Sequence, residues 1–576
     1  MASHARGDRP ARHLAVKSAL PALWSISLAV LMLWSALGRG FVLSYDMVWV
    51  PDLTLGADAL GLASGLPRAV PSDAVVAVLD EIVPGELLQK LVLLGALIGA
   101  GLGANRLLTG LPLAGRLAAV SVYQWNPFVV ERLHIGHWPV LVAYAALPWI
   151  VVGAARWRRS GRIPPWLCVV LPIASLSASS GLVTAITLTA MAATTRPVQL
   201  LRIASLVMAA NAPWLVSGLL HAGTATTASS GARAFALAEE GSLPAPLAAL
   251  TLGGIWNSEV VPDTRAGLLG WIATAVLGAL AVGGARAWWR STERRDAVAL
   301  VVIALIGYVL AVATWIAPEA SGWFFGTVPG AGLFRDGARA LALCAPLLCV
   351  LVAHGVESAL RVLAPEAAAR LVFAPVLVAA PIVLLPDGVH AGGLTAVEYP
   401  QSYVDARAAI AQAPGAVLSL PLTSYRQPEW NDGRKVLDPV WRYLSHDYVA
   451  SDVLVVGGTT IAGEDPRVDR VRAALERRTP EERARALAAE GIGIVVTDRT
   501  AAGDAPPQVA GDVLLEGDLL VVELDSPDEP DRPRSWLLAM VAAWTAFLGC
   551  GAVGFGLAVV RAASRRRQRD PRRSGR

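Results

Sequence analysis

Lysine is nearly missing from this 576-residue chain, where Lys17, Lys90 and Lys435 are the only three. Basic charge is therefore almost all arginine. Charge of either sign is scarce as well, at 16% of residues against 55% hydrophobic ones, and the mean hydropathy is +0.52. A soluble protein of this length has no need of so apolar a composition, which places the chain among polytopic membrane proteins. Cysteine is just as sparse. Cys168, Cys344, Cys349 and Cys550 lie inside hydrophobic blocks without metal-ligand spacing, so neither a disulfide framework nor a zinc site is supported. No Walker sequence, phosphate-binding glycine loop, nucleophile elbow or metalloprotease signature occurs, which argues against an ATP-driven transporter.

What the chain does have is apolar blocks of roughly 18 to 25 residues, the length that crosses a hydrocarbon core about 30 Å thick. Hydropathy and the positive-inside rule together predict about twelve spans, near 20-43, 86-108, 111-129, 138-155, 164-179, 181-195, 198-220, 267-288, 297-317, 338-360, 371-388 and 536-561. The net charge of +4 and pI near 9.0 could suggest nucleic acid, but the arginines gather at block ends. They read as topology, and nucleic acid is not an expected partner. With twelve spans, Arg106, the 156–162 and 286–295 clusters, Arg361, Arg370 and the tail all face the cytoplasm.

The resulting plan has a basic cytoplasmic N-terminus (1-19), a membrane body (20-388), a segment of soluble composition (389-535), a final span (536-561) and a basic cytoplasmic tail (562-576). Loops 44-85, 221-266 and 318-337 are expected outside, together with 389-535. Residues 71–83 read as a capped amphipathic helix in the interface. In 389-535, residues 416–420 and 492–496 read as buried strands, 480–490 as a charged helix, and 513–522 as a hairpin turning at Gly517. A small extracytoplasmic α/β domain is therefore expected before the last helix.

Candidate chemistry gathers at the outer boundary. Asp46 follows the first span within a few residues, where a carboxylate can take a proton from a hydroxyl whose partner is held in lipid; a solvated loop acid is the alternative. Asp52 lies further along that loop. Glu131, Arg132, His134 and His137 sit between the third and fourth spans, where polar groups need pairing or water; a Glu131–Arg132 surface pair with interfacial anchors is the plainer reading. Arg335 and Arg339 open the tenth span, one helical turn apart, and suit bidentate phosphate contact. Trp256 and Glu259 are the most site-like residues of the 221-266 loop. Residues 424–432 and 441–443 mix aromatic and polar groups, as sugar-binding surfaces do.

About a dozen spans, a long first loop with an acid just after the first span, an interfacial helix in that loop and a late soluble domain together resemble the GT-C superfamily of integral membrane glycosyltransferases. Phe334-Arg335-Asp336 and the closing α/β segment are similar to parts of actinobacterial arabinofuranosyltransferase-like and YfhO-like membrane proteins. The resemblance implies a GT-C-like fold and an inverting transfer of sugar from a polyprenyl phosphate to an envelope glycan, lipid or protein acceptor, at the outer face of a bacterial plasma membrane. Asp46 would be the general base. Members often carry paired acids in this loop, whereas Met47 follows Asp46 here, leaving Asp52 or Glu131 to supply a second carboxylate. Asp52, Arg132, His134, His137, Trp256, Glu259, Arg335 and Arg339 would then contact substrate, with membrane lipids around them and no cofactor or metal implied. A non-catalytic envelope assembly protein with the same body, or a lipid or polysaccharide transporter, are the alternatives.

Overall fold

The computed structural model describes residues 8–569 other than 64, 66, 67, 224–229, 329, 457, 504 and 529–531. The first seven residues of the basic N-terminus and the tail beyond Arg569 lie outside the described residues. The chain is mostly helical, and seven of the described helices are long and apolar enough to cross a membrane: Gly85–Leu107, Trp138–Ser160, Pro197–Leu220, Leu268–Ser291, Arg294–Ile316, Ala345–Leu363 and Arg534–Arg561. Three shorter apolar helices, Ala19–Leu33, Ala178–Ala192 and Ala367–Val383, pack among them.

Three expected spans take a different form. That expected over 164-179 shortens to the nine-residue helix Pro165–Ile173. The one expected over 111-129 breaks into helices Leu113–Gln124 and Pro127–His134. Asn126 is the reason. It adopts an extended backbone, and its Oδ1 accepts the Val129 amide at 3.1 Å, while Pro127 has no amide to continue the first helix and fits the first position of the second. The span expected over 338-360 begins later, as helix Ala345–Leu363 with Pro346 in its first turn. Arg339 therefore lies in a preceding 3₁₀ segment, Gly337–Leu343, and Arg335 lies before that.

The helix Ser72–Asp80 forms, and Val78, Leu79 and Ile82 are exposed on and just beyond it. Asp73 does not cap it. Its carboxylate instead meets Arg442 at 2.5 Å.

Residues 396–524 build an α/β unit around a five-stranded sheet. Numbering its strands β1 (Ala416–Leu420), β2 (Tyr448–Val449), β3 (Ile492–Asp498), β4 (Asp512–Leu515) and β5 (Leu519–Glu523), the order is β4-β5-β3-β1-β2. β1 runs parallel to β2 and β3, and the β4–β5 hairpin joins β3 antiparallel. Strand alternation sorts the core into two faces. Val417, Ile494, Val496 and Val521 pack into the same apolar cluster as the membrane-length helices. Leu418, Leu420, Val495 and Val522 face the helices Pro466–Leu475 and Pro480–Ala488, the latter fixed at its start by a Thr479–Glu482 capping box.

One sheet face thus seats the unit on the helical body, and backbone pairing ties the two together. Phe41–Val42 pairs antiparallel with Ala396–Val397. Gln89 holds that strand from beneath, with its side-chain amide bonded both ways to the Val42 backbone at 2.7 and 2.9 Å. Next, Tyr45 bridges Val436: its amide donates to the Lys435 carbonyl at 2.7 Å and its carbonyl accepts from Leu437 at 2.8 Å.

Candidate functional site

The Ser44–Met47 turn is gripped from two sides. Strand 436–437 of the α/β unit holds Tyr45, whose φ of 45° places it in the left-handed region that non-glycine residues rarely occupy. On the other side stands the turn after helix Pro127–His134. The Asp46 amide donates to Ile135 O at 3.2 Å, and Ser44 Oγ donates to His134 O at 2.5 Å. Gly136, with φ of 78°, makes this approach possible, because a Cβ there would lie 2.3 Å from Met47 N and 2.4 Å from Ser44 O.

Asp46 projects from this clamp into a polar cluster. His137 Nε2 lies 3.1 Å from its Oδ2, and Tyr425 of the α/β unit donates to its Oδ1 at 2.5 Å. Two guanidiniums flank the imidazole. Arg132 Nη1 lies 3.1 Å from Nδ1 and Arg339 Nη2 lies 3.1 Å from Nε2. Asp336 closes the group, receiving Arg132 at 3.2 Å and Arg339 Nε at 2.8 Å.

Exposure grades across the cluster. The Arg132 side chain is 0% exposed and His137 7%, whereas Arg339 and Asp46 keep 33% and 37%. Arg132 lies 5.3 Å over the Phe128 ring, and among the described residues its Nε and Nη2 have no hydrogen-bond partner. Such a group serves as a fixed positive charge under the cluster.

Electrostatics follow from this packing. Burial pulls the Asp46 carboxyl upward, but the His137 and Tyr425 hydrogen bonds and the Arg339 charge outweigh it and bring its pKa down to about 2. Burial and the Arg339 charge lower His137 to about 4 against the opposing pull of Asp46. Asp336 is raised by burial and lowered further by Arg132 and Arg339, ending well below the usual carboxylate range. At neutral pH the cluster therefore holds ionised Asp46 and Asp336, a neutral His137 and two guanidiniums. It can accept a proton at one end and hold an anion at the other.

Four of the remaining expected residues fall into three other groups. Glu131 is buried away from solvent against Glu240. Burial, then the Glu240 charge, keeps its carboxyl protonated well above the normal range. Glu240 pairs with buried Arg265 at 2.6 Å and accepts the Gly254 amide at 2.6 Å. Glu259 accepts the Tyr45 hydroxyl and lies 3.3 Å from Lys435 Nζ, beside Asp46 rather than on it. Trp256 packs edge-on against Phe235 at 4.7 Å, and Arg335 lies 4.8 Å over that same Phe235 ring and 3.5 Å from Glu464. Arg335 and Arg339 therefore do not form one fork.

Asp52 bonds Arg407 of the α/β unit, and His134 contributes its carbonyl to the turn. Among the described residues, no three His, Cys, Asp or Glu side chains have metal-holding geometry. Tyr425, Tyr45 and Lys435 enter the site without having been singled out. Tyr425 does lie in the aromatic-polar stretch 424–432, but nothing local indicates which of its residues reaches Asp46. Compared with known protein families and with curated proteins, the chain matches no family model and no curated sequence.

Proposed function

We propose that this chain is a membrane glycosyltransferase of the GT-C kind, with about twelve spans, cytoplasmic termini and the Asp46 cluster at the outer face of a bacterial plasma membrane. The observation that carries the reading is the juxtaposition of Asp46 and Arg339, both about one-third exposed, on the same nitrogen of His137. In the proposed step Asp46 takes the proton of an acceptor hydroxyl, whose oxygen bonds to the anomeric carbon of a sugar carried on a polyprenyl phosphate. The bond from that carbon to the phosphate oxygen breaks, and the electron pair leaves with the phosphate. Arg339 stabilises the charge that builds there, so the interaction strengthens in the transition state. The acceptor is an envelope glycan, lipid or protein, approached from the side where Tyr45, Tyr425, Glu259 and Lys435 gather.

A second reading, a non-catalytic assembly protein that kept this body, is favoured by one observation: both Asp46 oxygens are already hydrogen-bonded, to Tyr425 and His137. Asp46→Asn separates the two. In a deletion strain carrying either version, labelled-sugar incorporation into the envelope is expected to fall by about 10² to 10⁴-fold, the contribution of a general base. Unchanged incorporation with normal protein levels refutes the transferase reading and supports the assembly role.

A further inference from the structure

His137 has contacts with three groups but only two ring nitrogens, and this decides its tautomer. Arginine has donors and no acceptor, an ionised carboxylate has acceptors and no donor, and a neutral imidazole has one of each. With the proton on Nε2, Arg132 donates to Nδ1 and Nε2–H donates to Asp46, so two of the three contacts are hydrogen bonds. With the proton on Nδ1, Arg132 faces an N–H, Asp46 faces a lone pair, and only the Arg339 contact survives. An imidazolium satisfies Asp46 alone and sets two cations against a third charge. The first arrangement is the stable one, and it has a consequence for Arg339. Its Nε is spent on Asp336 and its Nη1 reaches Ser179 at 3.5 Å, while Nη2 lies 3.1 Å from an imidazole nitrogen that cannot accept.

The geometry points to His137 as a positioning residue, locked by Arg132 as the Nε2–H tautomer to orient Asp46, and to Arg339 as the guanidinium left open to receive an anionic group. The substrate class for that group, a lipid phosphate, rests on the function proposed above, but the tautomer does not. Arg335, engaged with Glu464 and stacked on Phe235, is assigned no such role.

Two measurements on the full chain in lipid nanodiscs test this. Selective ¹⁵N-histidine labelling, with His137→Gln to assign the resonance, is expected to show His137 neutral and protonated at Nε2 at pH 7, and Asp46→Asn should move that Nε2 signal. A histidine that does not donate to Asp46 would not respond to that change. Protonation at Nδ1, or an imidazolium at pH 7, overturns the positioning role. Binding of decaprenyl phosphate, read by native mass spectrometry, is expected to weaken at least about tenfold in Arg339→Gln, with Arg339→Lys intermediate and Arg335→Gln within about threefold of wild type, ten- and threefold being 1.4 and 0.65 kcal/mol. Equal losses in the Arg335 and Arg339 variants overturn the anion assignment. No binding to the wild-type chain overturns it together with the lipid-phosphate class, while the tautomer result still decides the Asp46–His137 assignment.

Discussion

Replacing Arg265 by methionine is the sharpest test of how the site is supported. Arg265 and Glu240 are each at most 1% exposed; Nε and Nη2 of the arginine lie 2.7 and 2.6 Å from Glu240 Oε2, and Nη2 also donates to Thr251 at 3.1 Å. Removing one member of such a pair leaves the other charged and unpartnered, at a cost of about 3–5 kcal/mol. With an unfolding entropy of about 2.1 cal/mol/K per residue, this lowers the melting midpoint by roughly 2–4 °C for a chain of 576 residues. A thiol-reactive dye reads the transition, because Cys168, Cys349 and Cys550 are buried and Cys344 is half-buried until the helices separate. Glu240→Gln added to Arg265→Met should recover part of the loss. A single variant melting within about 1 °C of wild type would refute the reasoning.

Gly136→Ala should melt early, by about 1–3 kcal/mol of backbone strain, and lose envelope sugar incorporation as severely as Asp46→Asn, because the new Cβ meets the backbone of the 44–47 turn. Incorporation at the wild-type level would show that this turn tolerates a shift. At the contact between helix Ser72–Asp80 and the α/β unit, burial raises the Asp73 carboxyl to about 6 despite Arg442. A raised carboxyl gives stability that is full below its unfolded value near 4 and is lost as pH climbs through about 6. Hydrogen-exchange protection of 72–80 and 440–448 should thus fall between pH 4 and 6.5 and flatten in Asp73→Asn; protection that rises over this window contradicts the account.

Residues whose roles depend on nearby sequence were the legible ones. Asp46, His137 and Arg339 each lie within a few positions of a hydrophobic block, so hydropathy alone brought them toward one boundary, and the strands at 416–420 and 492–496 announced themselves by composition. Two local signals were outweighed. Asn126-Pro127 is a helix-start pair inside an apolar stretch, and Pro346 marks the true start of the later helix, but hydropathy averaged over a window of about 19 residues reads through both. Partner choice was not legible. Asp336 adjoins Arg335 in sequence yet bonds Arg132 and Arg339, and Glu131 adjoins Arg132 yet faces Glu240, because three-dimensional packing decides which neighbour a side chain can reach.

Tyr425 and Asp46 stand 379 positions apart, and the strand that holds Tyr45 comes equally late in the chain. During synthesis the acid emerges with the first helix, long before its clamp exists. Only when the α/β unit has folded and docked does the carboxylate acquire its orientation. Truncated or half-inserted chains therefore carry every ionisable residue of the membrane body's share and still lack the assembled cluster.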